Sequence, residues 1–100
     1  KTMRLIEQQM WEAISNKGTL NLINWSKDNT RVEATTLGSK AYVYLHDHHI
    51  ATYHYDDNTV IPNLETLAAY PTNTTKSRLR ALGVDVYTRK GVTYVNGVEV

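Results

Sequence analysis

Apolar side chains recur along this chain in two rhythms, and each change of rhythm marks an element. Over residues 2–16, Met3, Ile6, Met10, Ala13 and Ile14 follow helical spacing and form one stripe, with Gln8 and Glu12 opposite. That spacing predicts an amphipathic N-terminal helix. Thr2 can cap its start, and Asn16-Lys17-Gly18 supplies a glycine stop. Leu5 and Trp11 fall outside the stripe, either packed at its margins or open to a partner.

The period then shortens to two. Four β-like runs, residues 20–25, 30–35, 41–46 and 49–55, are separated by Lys27-Asp28-Asn29, Leu37-Gly38-Ser39 and Asp47-His48, and Asp56-Asp57-Asn58 closes them. They predict an antiparallel meander. A two-residue turn at Asp47-His48 would pair His46 with His49, Leu45 with Ile50, Val43 with Thr52 and Tyr42 with Tyr53. Strand alternation then puts Ala41, Val43, Leu45, Ile50 and Thr52 on an aliphatic face. Tyr42, Tyr44, Tyr53 and Tyr55 fall together on the other, a tyrosine platform.

Beyond Pro62, residues 63–70 read as a short helical turn ended by Pro71. Residues 72–82 read as a second helix, with capping threonines before it and Gly83 as its stop. Thr75, Leu79 and Leu82 point one way and Lys76 and Arg80 another, with Arg78 beside the apolar side. The tail forms a C-terminal hairpin around Arg89-Lys90-Gly91, with Asn96-Gly97 as a further tight turn. The expected fold is a single α+β domain over residues 1–100: amphipathic N-terminal helix, antiparallel β-meander, second basic helix and C-terminal β-hairpin.

Composition narrows the function classes. The chain has 100 residues, 41% hydrophobic and 21% charged, an ordinary globular balance. It has no cysteine, which excludes disulfides and thiolate metal sites and suits a reducing cytoplasm. No long apolar run or signal-peptide pattern is visible, so neither a membrane span nor export is expected; Lys1 is not an initiator methionine and leaves room for a longer chain. Net charge is only +1, but it is unevenly spread. Residues 1–70 hold six basic and eight acidic side chains, a balance of −2, and residues 71–100 hold five basic and two acidic, a balance of +3. Such a gradient can steer a polyanion to one end, and it can equally be the solvated charge of a surface helix and hairpin.

Among candidate chemistries, the histidines His46, His48, His49 and His54 with Asp47, Asp56 and Asp57 suit a divalent metal, as in a metal-dependent hydrolase or nuclease. The hairpin register sets His48 in the turn, however, and no distant third ligand or general base stands at a telling spacing. There is no nucleophile elbow and no phosphate-binding glycine loop. No catalytic residue, metal or cofactor is therefore assigned. The tyrosine face, Tyr42, Tyr44, Tyr53 and Tyr55, together with Trp11, suits a partner, or else forms the floor under the first helix. The second helix offers a threonine-rich N-terminus and Lys76, Arg78 and Arg80, with Arg89 and Lys90 in the next hairpin, as a nucleic-acid-binding set.

Arg4-Leu5-Ile6-Glu7-Gln8-Gln9-Met10, Val43-Tyr44-Leu45-His46 with Ile50-Ala51, and Thr74-Thr75-Lys76-Ser77-Arg78-Leu79-Arg80-Ala81-Leu82-Gly83-Val84 resemble small accessory proteins of tailed bacteriophages. The resemblance covers most of the chain. It implies expression in a bacterial host and an accessory role, such as binding nucleic acid or blocking a host factor, and it transfers no active site. In that pattern the turn after the Leu-His pair is usually Gly-Asn, where this chain has Asp47-His48, which speaks against a shared histidine site. The expected function is a non-enzymatic phage protein, located in the host cytoplasm, that binds nucleic acid. The alternatives are a protein–protein inhibitor of a host factor, acting as a homo-oligomer, and the metal-dependent hydrolase.

Overall fold

A computed structural model of the chain describes residues 4–15, 22–35 and 39–100. Helix α1 (Leu5–Ser15) buries Met10, Ala13 and Ile14, as the stripe predicts; of the two residues outside the stripe, Leu5 stands in solvent. Met3, Leu20 and the expected signals at Thr2, Asn16-Lys17-Gly18 and Leu37-Gly38 lie outside the described residues.

Strands β1 (Leu22–Lys27), β2 (Thr30–Thr35), β3 (Lys40–Leu45), β4 (His48–His54) and β5 (Thr59–Pro62) form an antiparallel sheet in chain order. The fifth strand adds to the predicted meander. Among the described residues it is an edge strand, paired with β4, and it ends on Pro62, where a proline is tolerated.

The central hairpin departs from the predicted register. Its turn is His46-Asp47, one residue earlier than expected, with both residues in the left-handed region (φ 51° and 63°). That is the backbone of the turn whose twist matches two antiparallel strands. Leu45 therefore faces His48 and Tyr44 faces His49. A bulge then shifts the pairing, so that Val43 faces Ala51, Tyr42 faces Thr52 and Ala41 faces Tyr53. Because side chains alternate, a shift of one residue exchanges the faces of a strand. Ile50 and Ala51 are both buried, and Tyr53 and Tyr55 move to the inner face, against the core. This arrangement packs two aromatic rings against the core, on the face that also carries Ala41, Val43 and Leu45, and their burial favours it.

Helix α2 (Leu64–Ala69) is capped by Asn63, whose side chain accepts from the Thr66 N–H, and ends at Tyr70 before Pro71. Helix α3 (Asn73–Ala81) is capped by Thr72 and stops at Gly83, whose φ of 95° suits glycine. Strands β6 (Val86–Arg89), β7 (Val92–Val95) and β8 (Val98–Glu99) form a three-stranded antiparallel sheet, one strand more than the expected hairpin. The described elements confirm the α+β class. One apolar cluster joins them, running from Met10 and Ile14 through Val32, Val43 and Leu67 to Leu79, Val86 and Val95. Among the described residues, no helix is long and apolar enough to cross a membrane.

Candidate functional site

Helix α3 is enclosed on several sides, and this decides what its cations do. Arg78 is buried, with Nη1 2.7 Å from Glu7 Oε2 on α1 and Nε donating to Thr30 Oγ1 on β2 at 3.1 Å. Ser77 Oγ donates to the same Glu7 oxygen at 2.6 Å. Burial pushes the Glu7 carboxyl up, but the Ser77 and Arg78 hydrogen bonds and the guanidinium charge outweigh it, leaving the group below its ordinary value. Lys76 is also buried, and its Nζ donates to Thr88 Oγ1 on β6. Lys76, expected on the side away from the apolar residues, and Arg78, expected beside them, are thus both buried: the second helix packs against α1 and β6, and both side chains point into those contacts. Arg80 is exposed, and its Nη1 donates to the Val86 carbonyl at 3.0 Å. The threonines at the helix start serve its cap, since Thr72 Oγ1 accepts from the Thr75 N–H and bonds the Thr75 hydroxyl.

The tyrosine platform divides in two. Tyr55 Oη donates to the Ile14 carbonyl at 2.7 Å, so its ring lies under α1. Burial, and secondarily Tyr53, raises its phenol above the ordinary value. Trp11 meets Tyr53 edge-to-face, with centroids 5.7 Å apart, and donates its indole N–H to the Ala81 carbonyl. These three aromatics are packing contacts between α1, the large sheet and α3, contrary to a shared partner-binding face. Only Tyr42 and Tyr44 remain on the outer face of β3. Tyr44 lies beneath the Arg31 guanidinium, 4.3 Å from its carbon, and that cation is held in turn by Glu33 and Asp47, both at 2.8 Å. Tyr42 leans edge-on against His49.

The histidines do not converge. His46 is exposed in its turn, His48 stacks on Tyr70, and His49 sits between Tyr42 and Tyr44 with Nε2 2.9 Å from Thr52 Oγ1. Among the described residues no three His, Cys, Asp or Glu side chains form a group able to hold a metal ion. One cleft of about 140 Å³ lies between Leu45, Ile50, Tyr70 and Thr72, with His46 and His48 but no carboxylate in its wall, and one of about 330 Å³ lies between Trp11, Tyr53, Val60 and Val84. A third, of about 250 Å³, brings Asp28, His46 and Asp47 around Arg31, where the Arg31–Asp47 ion pair already satisfies the nearest charges. None assembles a nucleophile with a base that activates it.

The three-stranded sheet carries a different surface. The turn at Lys90-Gly91 has both residues at positive φ, which pairs Arg89 with Val92 and Tyr87 with Tyr94. Val86, Thr93 and Val95 face inward and are buried, and alternation sends Tyr87, Arg89, Val92 and Tyr94 outward. The two tyrosine rings stack across the strands, with centroids 5.1 Å apart and planes within 14°. Arg89 and Lys90 are exposed beside them, and Arg80 stands at the other end of β6. The sequence signal for Tyr87 and Tyr94 is the turn itself: two residues at Lys90-Gly91 bring them opposite each other.

No curated protein and no solved structure was found to match this chain. A family model described as Kyanoviridae Gp96 protein matches residues 3–100, so the chain belongs to that phage family, and its likeness to phage accessory proteins is borne out.

Proposed function

We propose that this phage protein is a non-enzymatic accessory factor that binds nucleic acid in the host cytoplasm through its C-terminal sheet. The observation that carries the reading is the alignment of three exposed cations, Arg80, Arg89 and Lys90, along strand β6 and its turn, next to an outward aromatic pair. Exposed cations supply the salt-dependent attraction for phosphates, and aromatic rings supply contacts to bases. Lys76 and Arg78 contribute indirectly, by holding α3 against β6 and α1. The acids nearest this surface are Asp85, just before β6, and Glu99, opposite Tyr94 on β8. Glu99 disfavours a polyanion on the β8 side, and Asp85 opposes it at the start of β6.

The test is an anisotropy titration with labelled oligonucleotides at low and moderate salt. Binding that weakens with salt, and whose salt slope shrinks in R89A/K90A, is expected; no binding at low salt rejects the reading.

A second reading, contact with a host protein or another copy of the chain, draws on one row across the outer face of the large sheet. There the exposed Tyr42 and Ile61 flank Thr52. Capture from bacterial lysate with and without nuclease separates the two, with loss on Tyr42→Ala expected only for the protein contact.

A further inference from the structure

Resting on the nucleic-acid reading above, we infer that the C-terminal sheet takes a single strand and stacks an unpaired base on the Tyr87–Tyr94 pair. In a duplex the faces of the bases are covered by their neighbours, so protein groups meet only base edges, sugars and phosphates. A ring face is useful to a protein only when the base is unpaired. The described surface offers such a face. Tyr87 is exposed and lies on the edge strand β6, so Tyr94 occupies one side of its ring and, among the described residues, no strand lies on the other. The two rings are already nearly parallel, at 14° and 5.1 Å. A base added on the open side of Tyr87 continues a stack that exists before binding, and so orders little that is not already ordered.

The charges follow the same line. Arg89 projects from the same face as Tyr87, two residues along β6, with Lys90 in the adjoining turn. At the opposite end Arg80 is tied to the Val86 carbonyl, beside the first residue of the strand. Cations therefore flank the ring at both ends of β6, which suits a backbone running along the strand with a base turned onto Tyr87. On the large sheet Tyr44 is instead covered by Arg31, and Arg31 is paired with Glu33 and Asp47.

The experiment compares 12-nucleotide oligo(dT), oligo(U) and a 12-base-pair duplex, by anisotropy at low salt, against the intact chain and Y87L, Y87F and Y94L. Melting followed by circular dichroism confirms that each variant is folded. Tight binding of both single strands, or of only one of them, supports the inference and also says which sugar is preferred. Y87L is expected to lose about tenfold or more in single-strand affinity at unchanged salt slope, while Y87F keeps it because the ring face remains. Equal binding of the duplex with no effect of Y87L overturns the stacking inference and leaves the nucleic-acid reading standing. No binding of any of the three probes by the intact chain removes both.

Discussion

On the five-stranded sheet the tyrosines of β3 and β4 end on opposite faces, whereas on the three-stranded sheet Tyr87 and Tyr94 stand side by side on one. Both hairpins turn through two residues at positive φ, so the turns are not the difference. The difference is the bulge in β4. One inserted residue there exchanges the faces of everything that follows it, and Tyr53 and Tyr55 go under α1. The β6–β7 ladder has no such shift. The cations divide in the same way: Arg78 is enclosed by Glu7 and Thr30, and Arg89, eleven residues later, is in solvent. Residue type alone does not make a surface; the register and packing around it do.

The largest expected effect tests the inner set of charges. Arg78→Ala leaves Glu7 buried without its cation and should cost about 3–5 kcal/mol, while Arg89→Ala should stay within about 0.5 kcal/mol. Urea denaturation of the two variants measures this. Replacing the pair together, as E7Q/R78M, should recover much of the loss, because the unpaired charge is then absent. Equal effects of R78A and R89A would dissolve the distinction between inner and outer cations.

Acid is the second probe. The Glu7 carboxyl is held below its ordinary value in the folded chain, so its contribution is fully present above the unfolded carboxylate range. That contribution is lost as pH falls through the lower folded value. Thermal melts between neutral pH and pH 3 should therefore show an acid limb that is flatter in E7Q than in the parent chain.

Smaller effects separate the tyrosines. Tyr53→Ala removes a ring packed against Trp11 and should cost about 2 kcal/mol, and Tyr55→Phe loses one hydrogen bond to the Ile14 carbonyl, about 1 kcal/mol. Tyr42→Ala, on the outer face, should change stability by no more than about 0.5 kcal/mol. A reversed order in chemical denaturation would contradict the bulged register.

The smallest effect sharpens the outer set. Asp85 is the acid next to β6, and Asp85→Asn should strengthen oligonucleotide binding by about two- to fivefold at low salt, a gain that fades as salt is raised. Weaker binding in this variant would place the nucleic-acid path elsewhere.

Much of this protein was legible in contiguous residues. The α1 stripe, the caps at Asn63 and Thr72, the stop at Gly83 and the Lys90-Gly91 turn are set by interactions within a few positions along the chain. The candidate surface was half legible: Arg80, Arg89 and Lys90 stand exposed, as a basic C-terminal third suggests. What the tertiary structure alone decided were the contacts between distant residues. Glu7 and Arg78 are 71 positions apart, and Trp11 and Ala81 are 70, so no local pattern shows that α3 is enclosed. The bulge that divides the tyrosines is of the same kind, because turn preference admits neighbouring registers and the choice among them rests on how much aromatic area α1 and the core can cover.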